Sequence, residues 1–461
     1  MTAPAAPRSD TRALFTLAGP IVISQLAVMG LAVIDTVMAG RLSAVDLAAV
    51  AIGSAIYAIV YVGAMGIIQA LTPVAGHHYG AGRTREVGID LAQMLWLCAA
   101  MAVAGSAALW FNRPWLELTE AASEVRSIAT TYLQALAFGL PAALATRAYF
   151  AVNSAVSRPQ VTMLLHLVAL ALKVPLNLVF IHGIGPLPAQ GGAGCGMATA
   201  TLSWGLLVSS LVVWRLDPYF RRFRAGFHRP QWDRLRELLR LGLPSGGSLL
   251  IEVSSFTLIA LALARLGAEV VGGHQIIANL ISVLYMLPLA LGVATSVLVA
   301  QSLGAGNPAN ARRAALRGYR VALAIALVAA GAMVLLRAPL ILAYTVDPAV
   351  ARTALSLIIL GALFHLFDAA QGVAGFILRG YKVAFVPMLI HGAALWGVGL
   401  MGGYWLAYHS TMGQRLGGAV SFWLAAVVGL TVTAAALGAL ANRVARERIT
   451  EQATTQGPEQ K

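Results

Sequence analysis

Four ionisable residues stand where water is not expected. Asp35 lies in Leu31-Ala-Val-Ile-Asp35-Thr-Val-Met38, Glu252 in Leu249-Leu-Ile-Glu252-Val-Ser-Ser-Phe256, and Asp368 in Phe364-His-Leu-Phe-Asp368-Ala-Ala-Gln371. Lys173 sits near the middle of a fourth apolar run and is followed by Val174-Pro175-Leu176-Asn177. A carboxylate at the centre of a bilayer costs about 2.5–3.5 kcal/mol on insertion scales. Three of them oppose insertion by roughly 8–10 kcal/mol, as much as a whole domain's stability. Burial favours the neutral form of an acid and a bound cation favours the ionised form. The chemistry open to such groups is therefore exchange of a proton or a sodium ion, with Glu252 and Asp368 as candidate sodium ligands. The structural alternative is an acid hydrogen-bonded to a neighbouring helix or close to the membrane surface. Snorkelling over half a bilayer is a long reach for Lys173, so an intramembrane partner is expected, with Asp35 in the same half as the candidate; the alternative is a lysine in a wet cavity with no fixed partner. Pro175 locally frees backbone carbonyls beside it.

Weaker signals surround these four. Asn153, Asn177, Gln275 and Asn279 can hydrogen-bond across helices or contact a ligand or cation; Asn153 and Asn177 are assigned with Lys173 to a polar site in the first half. Tyr57, Tyr61, Tyr285, Phe256, Phe364 and Phe367 can line a cavity for a bulky compound, although aromatic residues in spans usually pack. His365 and His391 are expected to be packed core histidines.

The elements that must position these residues follow from composition. Of 461 residues 59% are apolar and 11% charged, with a mean hydropathy of +0.78. An ordinary soluble domain carries about 25% charge, so the chain is expected to be an all-α polytopic membrane protein. A crossing needs about 20 apolar residues, and twelve such stretches are present: 14–39, 47–74, 88–111, 127–150, 160–182, 191–214, 238–264, 272–302, 318–336, 350–378, 384–407 and 417–441. The first follows Arg8 and Arg12, but its apolar run is too long for a signal peptide and is expected to stay attached. The two cysteines, Cys98 and Cys195, cannot form a disulfide scaffold or a four-ligand zinc site. No His/Asp cluster or Ser/His pair converges within the spans, against an intramembrane enzyme, and no repeated filter loop is visible, against a channel.

The net charge of +14 could suggest nucleic acid, but its distribution reads as an orientation signal. With the N-terminus inside, 23 of the 32 Lys and Arg fall on the inner side. Only seven fall outside (Arg41, Arg113, Arg126, Arg265, Arg337, Arg352, Arg415), and Arg147 and Lys173 fall within spans. Both termini are thus placed in the cytoplasm. The resulting order is a tail (1–13), an N-terminal lobe (14–214), a basic cytoplasmic linker (215–237), a C-terminal lobe (238–441) and a second tail (442–461).

The two lobes repeat. Residues 17–82 align without a gap on 241–306 at an offset of 224, pairing Pro20 with Pro244, Ser24 with Ser248, Arg41 with Arg265 and Tyr61 with Tyr285, and ending on Gly80-Ala81-Gly82 over Gly304-Ala305-Gly306. Six helices return the chain to its starting side, so the lobes share one topology and should be related by an axis along the membrane normal. Under this offset Glu252 falls on Val28 and Asp35 on Ile259. The acids are therefore not duplicated with the repeat, which suits a functional asymmetry.

Taken in order, several motifs resemble the multidrug and toxic compound extrusion (MATE) transporters, in their bacterial NorM-like branch, over about 12–440. They are Gly19-Pro20, Ile34-Asp35-Thr36-Val37-Met38-Ala39-Gly40, Pro175-Leu176-Asn177, Gly194-Cys195-Gly196-Met197-Ala198-Thr199-Ala200, Glu252, His274-Gln275-Ile276, Gly304-Ala305-Gly306, Asp368, Gln371-Gly372-Val373 and Leu378-Arg379-Gly380. The resemblance implies twelve helices in two pseudo-symmetric six-helix lobes. It also implies export of bulky, often cationic amphipathic compounds by alternating access, coupled to entry of H+ or Na+ and without another cofactor. It places Asp35 as the acid of the N-terminal lobe, with Asn177 near it, and Glu252 and Asp368 as the acidic pair of the C-terminal lobe, with Gln275 facing the cavity. Lys173 departs from the family's Asn-x-Pro-x-Asn pattern, and a fixed ammonium there would take the place of a mobile cation. Expected partners are small-molecule drugs and the bilayer of a bacterial inner membrane, with no nucleic acid, for a protein acting as a monomer. A lipid-linked-precursor flippase of the wider superfamily is the rival; it would call for added helices and a cluster of cavity arginines.

Overall fold

The computed structural model describes residues 11–185, 187–224 and 226–455, and these are helical with no strand among them. Twelve helices are long and apolar enough to cross a membrane. They are α1 (Thr11–Leu42), α2 (Ala44–Gly80), α3 (Thr84–Trp110), α4 (Ser123–Ala155), α5 (Pro159–His182) and α6 (Ala193–Leu216), then α7 (Trp232–Leu266), α8 (Ala268–Gly304), α9 (Pro308–Leu335), α10 (Pro348–Gly380), α11 (Phe385–His409) and α12 (Gly418–Thr454). The twelve expected spans are all present. Most run on past their apolar stretch, because helical hydrogen bonding continues until a cap or a glycine ends it. Thus α12 carries the expected tail as helix to Thr454, with Arg443 paired to Glu447 at 2.7 Å and Arg448 to Glu451 at 3.1 Å along its surface. Arg8 and Lys461 lie outside the described residues.

The repeat is visible in backbone chemistry. Gly82 and Gly306 both adopt positive φ, +73° and +71°. Around them the same two bonds form: Arg83 N donates to His78 O and Asn307 N to Ser302 O, both 2.9 Å, while Gly82 N donates to Tyr79 O and Gly306 N to Leu303 O, both 3.0 Å. This left-handed cap closes the orphan carbonyls at the ends of α2 and α8. An L side chain at the glycine would cost roughly 1–2 kcal/mol, which explains why the Gly-Ala-Gly tripeptide marks the repeat so clearly. Short helices also begin in register after α3 and α9, at Arg113–Glu117 and Arg337–Leu342.

The chain forms two compact units, Gly19–Gly246 and a second made of the residues up to Ala18 together with those from Gly247 onward. The division therefore falls inside α1 and α7, within three residues of Pro20 and Pro244, whereas the expected lobe boundaries lay at 14, 214 and 238. Packing accounts for the difference. Leu14, Leu17 and Ala18 are buried with Leu291, Val297, Leu378 and Leu437 in the core of the second unit. The first turns of α7 instead belong to the first unit. Gly246 lies so close to Gly66 that a Cβ on Gly66 would sit 2.3 Å from the Gly246 Cα. Arg234 donates to Asp90 at 2.8 Å and pairs with Glu86, while Asp90 also meets His78 at 2.5 Å. The expected linker is held against α3 as well: Gln93 donates to Arg229 O at 3.0 Å and accepts from Gln231 N at 2.8 Å, and Trp96 donates to His228 O at 2.9 Å.

Candidate functional site

In the first unit, α1, α5 and α6 converge on Asp35. Its Oδ1 receives Lys173 Nζ at 2.8 Å and Asn177 Nδ2 at 2.8 Å. Lys173 and Asn177 are one helical turn apart on α5, so both face the same acid. From α6, Thr199 Oγ1 accepts from Lys173 Nζ at 2.5 Å and lies 3.4 Å from Asp35 Oδ2, and Cys195 O is 3.4 Å from the ammonium. Lys173 is 1% exposed and Asp35 8%. The pairing expected from sequence is formed, and Thr199 and the Cys195 carbonyl complete the shell of the lysine. A buried charge pair persists only where its remaining hydrogen-bonding capacity is met, and this one is met by three helices.

The Gly194-Cys195-Gly196 segment explains how α6 comes close enough. A Cβ on Gly194 would lie 2.6 Å from the Phe180 carbonyl carbon, and one on Gly196 2.9 Å from the Tyr132 carbonyl oxygen. Small residues let membrane helices approach this closely. Gly194→Val is expected to push α6 from α5, lower stability by about 1–3 kcal/mol or more, and detach Thr199 from Lys173. Thermal unfolding in detergent reads the first effect, and a melting temperature equal to the parent's would refute this packing argument.

Asn153, assigned with Lys173 and Asn177, is placed elsewhere. Its amide donates to Thr162 Oγ1 at 3.3 Å and accepts from Trp214 Nε1 at 3.1 Å. Thr162 and Lys173 are separated by eleven residues of α5, or about 16 Å of helix, so Asn153 ties helices together far from the acid.

The second unit holds Glu252 on α7 and Asp368 on α10. Asp368 is 7% exposed, and its Oδ1 accepts from Gln371 Nε2 at 2.9 Å. Glu252 lies within electrostatic reach of Asp368, Gln371 and Arg379. The other end of the Gln371 amide meets His391 Nε2 at 2.7 Å. Tyr285 reaches the same place because Gly372 leaves room: a Cβ there would lie 2.5 Å from the tyrosine hydroxyl. Arg379 completes the group. Its guanidinium folds back along α10, 4.3 Å from the Phe376 ring centre, and acts electrostatically on Glu252 and Tyr285. By sequence Arg379 falls among the basic residues of the inner face and His391 among packed core histidines. Gln371 and Arg379 stand in the resembling motifs, and Gln371, three residues on from Asp368, shares its face of α10, whereas His391 is brought there from α11. His365, one turn from Asp368, is fully buried and its ring nitrogens have no hydrogen-bond partner among the described residues.

The remaining candidates divide. Gln275 and Asn279 are exposed neighbours on α8, 3.5 Å apart. Tyr61 stacks on Tyr57 with ring centres 5.5 Å apart. Phe256 and Phe364 pack on each other at 5.6 Å and around Trp423, itself 2% exposed. They serve the core of the second unit, as aromatic residues in spans commonly do. Among the described residues no group of three or more His, Cys, Asp or Glu is arranged to hold a metal ion.

With this geometry in hand, comparison with known proteins is informative. The MatE family model matches residues 20–179 and 244–405, well over half of the chain. The chain belongs to the MatE family. The two matches begin 224 residues apart, the register of the internal repeat. Among MatE relatives, the probable multidrug resistance protein NorM of Aromatoleum aromaticum is 40% identical over 451 residues, covering 95% of this chain and 97% of that protein. The multidrug resistance protein PmpM of Pseudomonas aeruginosa is 37% identical over 446 residues, covering 96% and 93%. The crystal structure of a MATE protein in the bent conformation superposes with a TM-score of 0.88 at 17% identity, covering 97% of this chain and 98% of that one. The eukaryotic MATE transporter AtDTX14 gives 0.84 at 21% identity, covering 96% and 98%. The expected MATE fold and NorM-like branch both hold.

Proposed function

We propose that this chain is a multidrug efflux antiporter that exports bulky, often cationic amphipathic compounds by alternating access of its two lobes, coupled to proton entry. The observation that carries this reading is the Glu252, Asp368 and Gln371 cluster inside the membrane-spanning part of the second unit. The names of the NorM and PmpM relatives support the substrate class. Glu252 and Asp368 are groups that can exchange a proton, and a cationic drug that stabilises their ionised forms weakens proton binding by linkage. Proton and drug therefore compete for one set of acids. In the first unit the cation position beside Asp35 is filled by Lys173 Nζ at 2.8 Å, which argues for protons over sodium there. Each charge crossing 100 mV of membrane potential supplies about 2.3 kcal/mol, in addition to the ion's own gradient.

The excess of Lys and Arg on one face orients the protein with both termini in the cytoplasm of a bacterial inner membrane, and neither lobe needs a second copy to complete its acid site. Drug-driven ion flux in proteoliposomes, under proton and sodium gradients imposed separately, tests the coupling. Drug release is expected to follow the proton gradient alone. Uptake driven by sodium with no pH gradient would overturn the assignment of the ion, and failure under both gradients would overturn the transport reading.

A further inference from the structure

A groove of about 710 Å³ lies in the first unit between α3, α6 and the segment that joins α6 to α7, and Asp35, Lys173 and Asn177 are not among its lining residues. Its floor is apolar: Leu91, Leu95, Leu211 and Phe220. Its rim is basic, formed by Arg215, Arg221 and Arg224. None of these three arginines forms an ion pair with a carboxylate among the described residues; the nearest acid in sequence, Asp217, is engaged in capping the short helix Pro218–Arg221 through Tyr219 N at 2.8 Å. The C-terminal end of α12 differs in kind. There Arg443 and Arg448 are each matched by a glutamate on their own helix.

The groove walls continue into exposed apolar surface on helices long and apolar enough to cross a membrane. Val208 and Val212 on α6 are 56% and 47% exposed, and Val103 on α3 is 74% exposed. Trp96 and Phe227 stand at the rim with rings 5.7 Å apart, the place where aromatic side chains meet the membrane surface. The joining segment is fixed over the groove by the Gln93 and Trp96 bonds described above, so the site is preformed. A ligand matching this surface carries a negative charge at one end and hydrocarbon at the other. Basic pockets between spanning helices bind anionic headgroups on this chemistry.

We propose that the groove is a binding site for one anionic glycerophospholipid, its phosphodiester held by Arg215, Arg221 and Arg224 and its acyl chains laid between α3 and α6. The proposal rests on the basic face lying at the cytoplasmic leaflet, but on neither the drug nor the coupling ion. The test uses the purified full chain in detergent, titrated with phosphatidylglycerol or phosphatidylcholine and read by native mass spectrometry and thermal unfolding. The parent protein is expected to retain one phosphatidylglycerol at least tenfold more tightly than phosphatidylcholine and to melt higher with it. At about fivefold per arginine, Arg215→Gln/Arg221→Gln/Arg224→Gln should lose on the order of a hundredfold and erase the preference. Arg443→Gln/Arg448→Gln should keep it. Arg224→Gln alone, in an exposed loop position, should lose about fivefold and guards against misfolding of the triple variant. Equal affinity for both lipids, equal loss in the α12 control, or full displacement by millimolar inorganic phosphate would each overturn the proposal.

Discussion

Asp368→Asn is expected to abolish drug efflux while leaving the protein folded and in the membrane. Asparagine keeps the shape of the side chain and can still accept the Gln371 amide proton that Asp368 accepts at 2.9 Å. It cannot take up or release a proton at physiological pH. Removing a buried ionisable group is commonly neutral or stabilising when its partner remains satisfied, so expression and melting temperature should equal or exceed the parent's. Resistance of cells expressing the variant should fall to that of cells without the transporter, and proton release on drug addition should vanish. Glu252→Gln should behave in the same way, although with Arg379 left facing a neutral partner its stability should fall. Full resistance conferred by Asp368→Asn would contradict the coupling role.

Lys173 carries the second large effect, with the opposite signature. Its ammonium is 1% exposed and is held by Asp35, Thr199 and the Cys195 carbonyl. Lys173→Met leaves the Asp35 carboxylate buried with only neutral donors, and breaking such a pair costs about 3–5 kcal/mol. The double variant Asp35→Asn/Lys173→Met removes both charges and should recover most of that loss, which a double-mutant cycle in thermal or denaturant melts would quantify. Lys173→Asn restores the Asn-x-Pro-x-Asn pattern and opens the position beside Asp35 to a mobile cation. Its stability is expected to rise with sodium concentration, as binding to the folded state requires, whereas the parent's should not. The drug profile and the pH dependence of transport should change together. Identical ion dependence and drug profile in Lys173→Asn and the parent would sink the idea that the lysine substitutes for a cation.

These contrasting expectations come from the way each acid is neutralised. Asp35 has a resident cation on a neighbouring helix. Asp368 has a neutral amide, and Glu252 has an arginine acting on it from α10. The two units share a backbone repeat down to the hydrogen bonds of the Gly82 and Gly306 caps, yet Asp35 and Glu252 stand at different positions of the equivalent helices α1 and α7, and Asp368 lies on α10.

Much of this was legible in the sequence. Membrane class, twelve spans, the two-fold repeat and the Asp35–Lys173 pairing follow from residue type and spacing, and the place of Asn177 beside Asp35 from the resemblance to the MATE family. Transfer from water to lipid is nearly additive along a helix, and residues four apart must share a face. Three matters were decided only by tertiary structure. Glu252 and His391 reach the Asp368 site because of how α7, α10 and α11 pack and are rotated about their axes, which hydropathy does not encode. The units divide within α1 and α7 because glycine contacts and the Arg234–Asp90 pair hold the first turns of α7 to the first unit. Phe256 and Phe364 pack against the core of the second unit because Trp423, far away in sequence, touches both. Local pattern determines which groups leave water, but the partners they find there depend on contacts between distant helices, and those are set by close packing of small and large side chains.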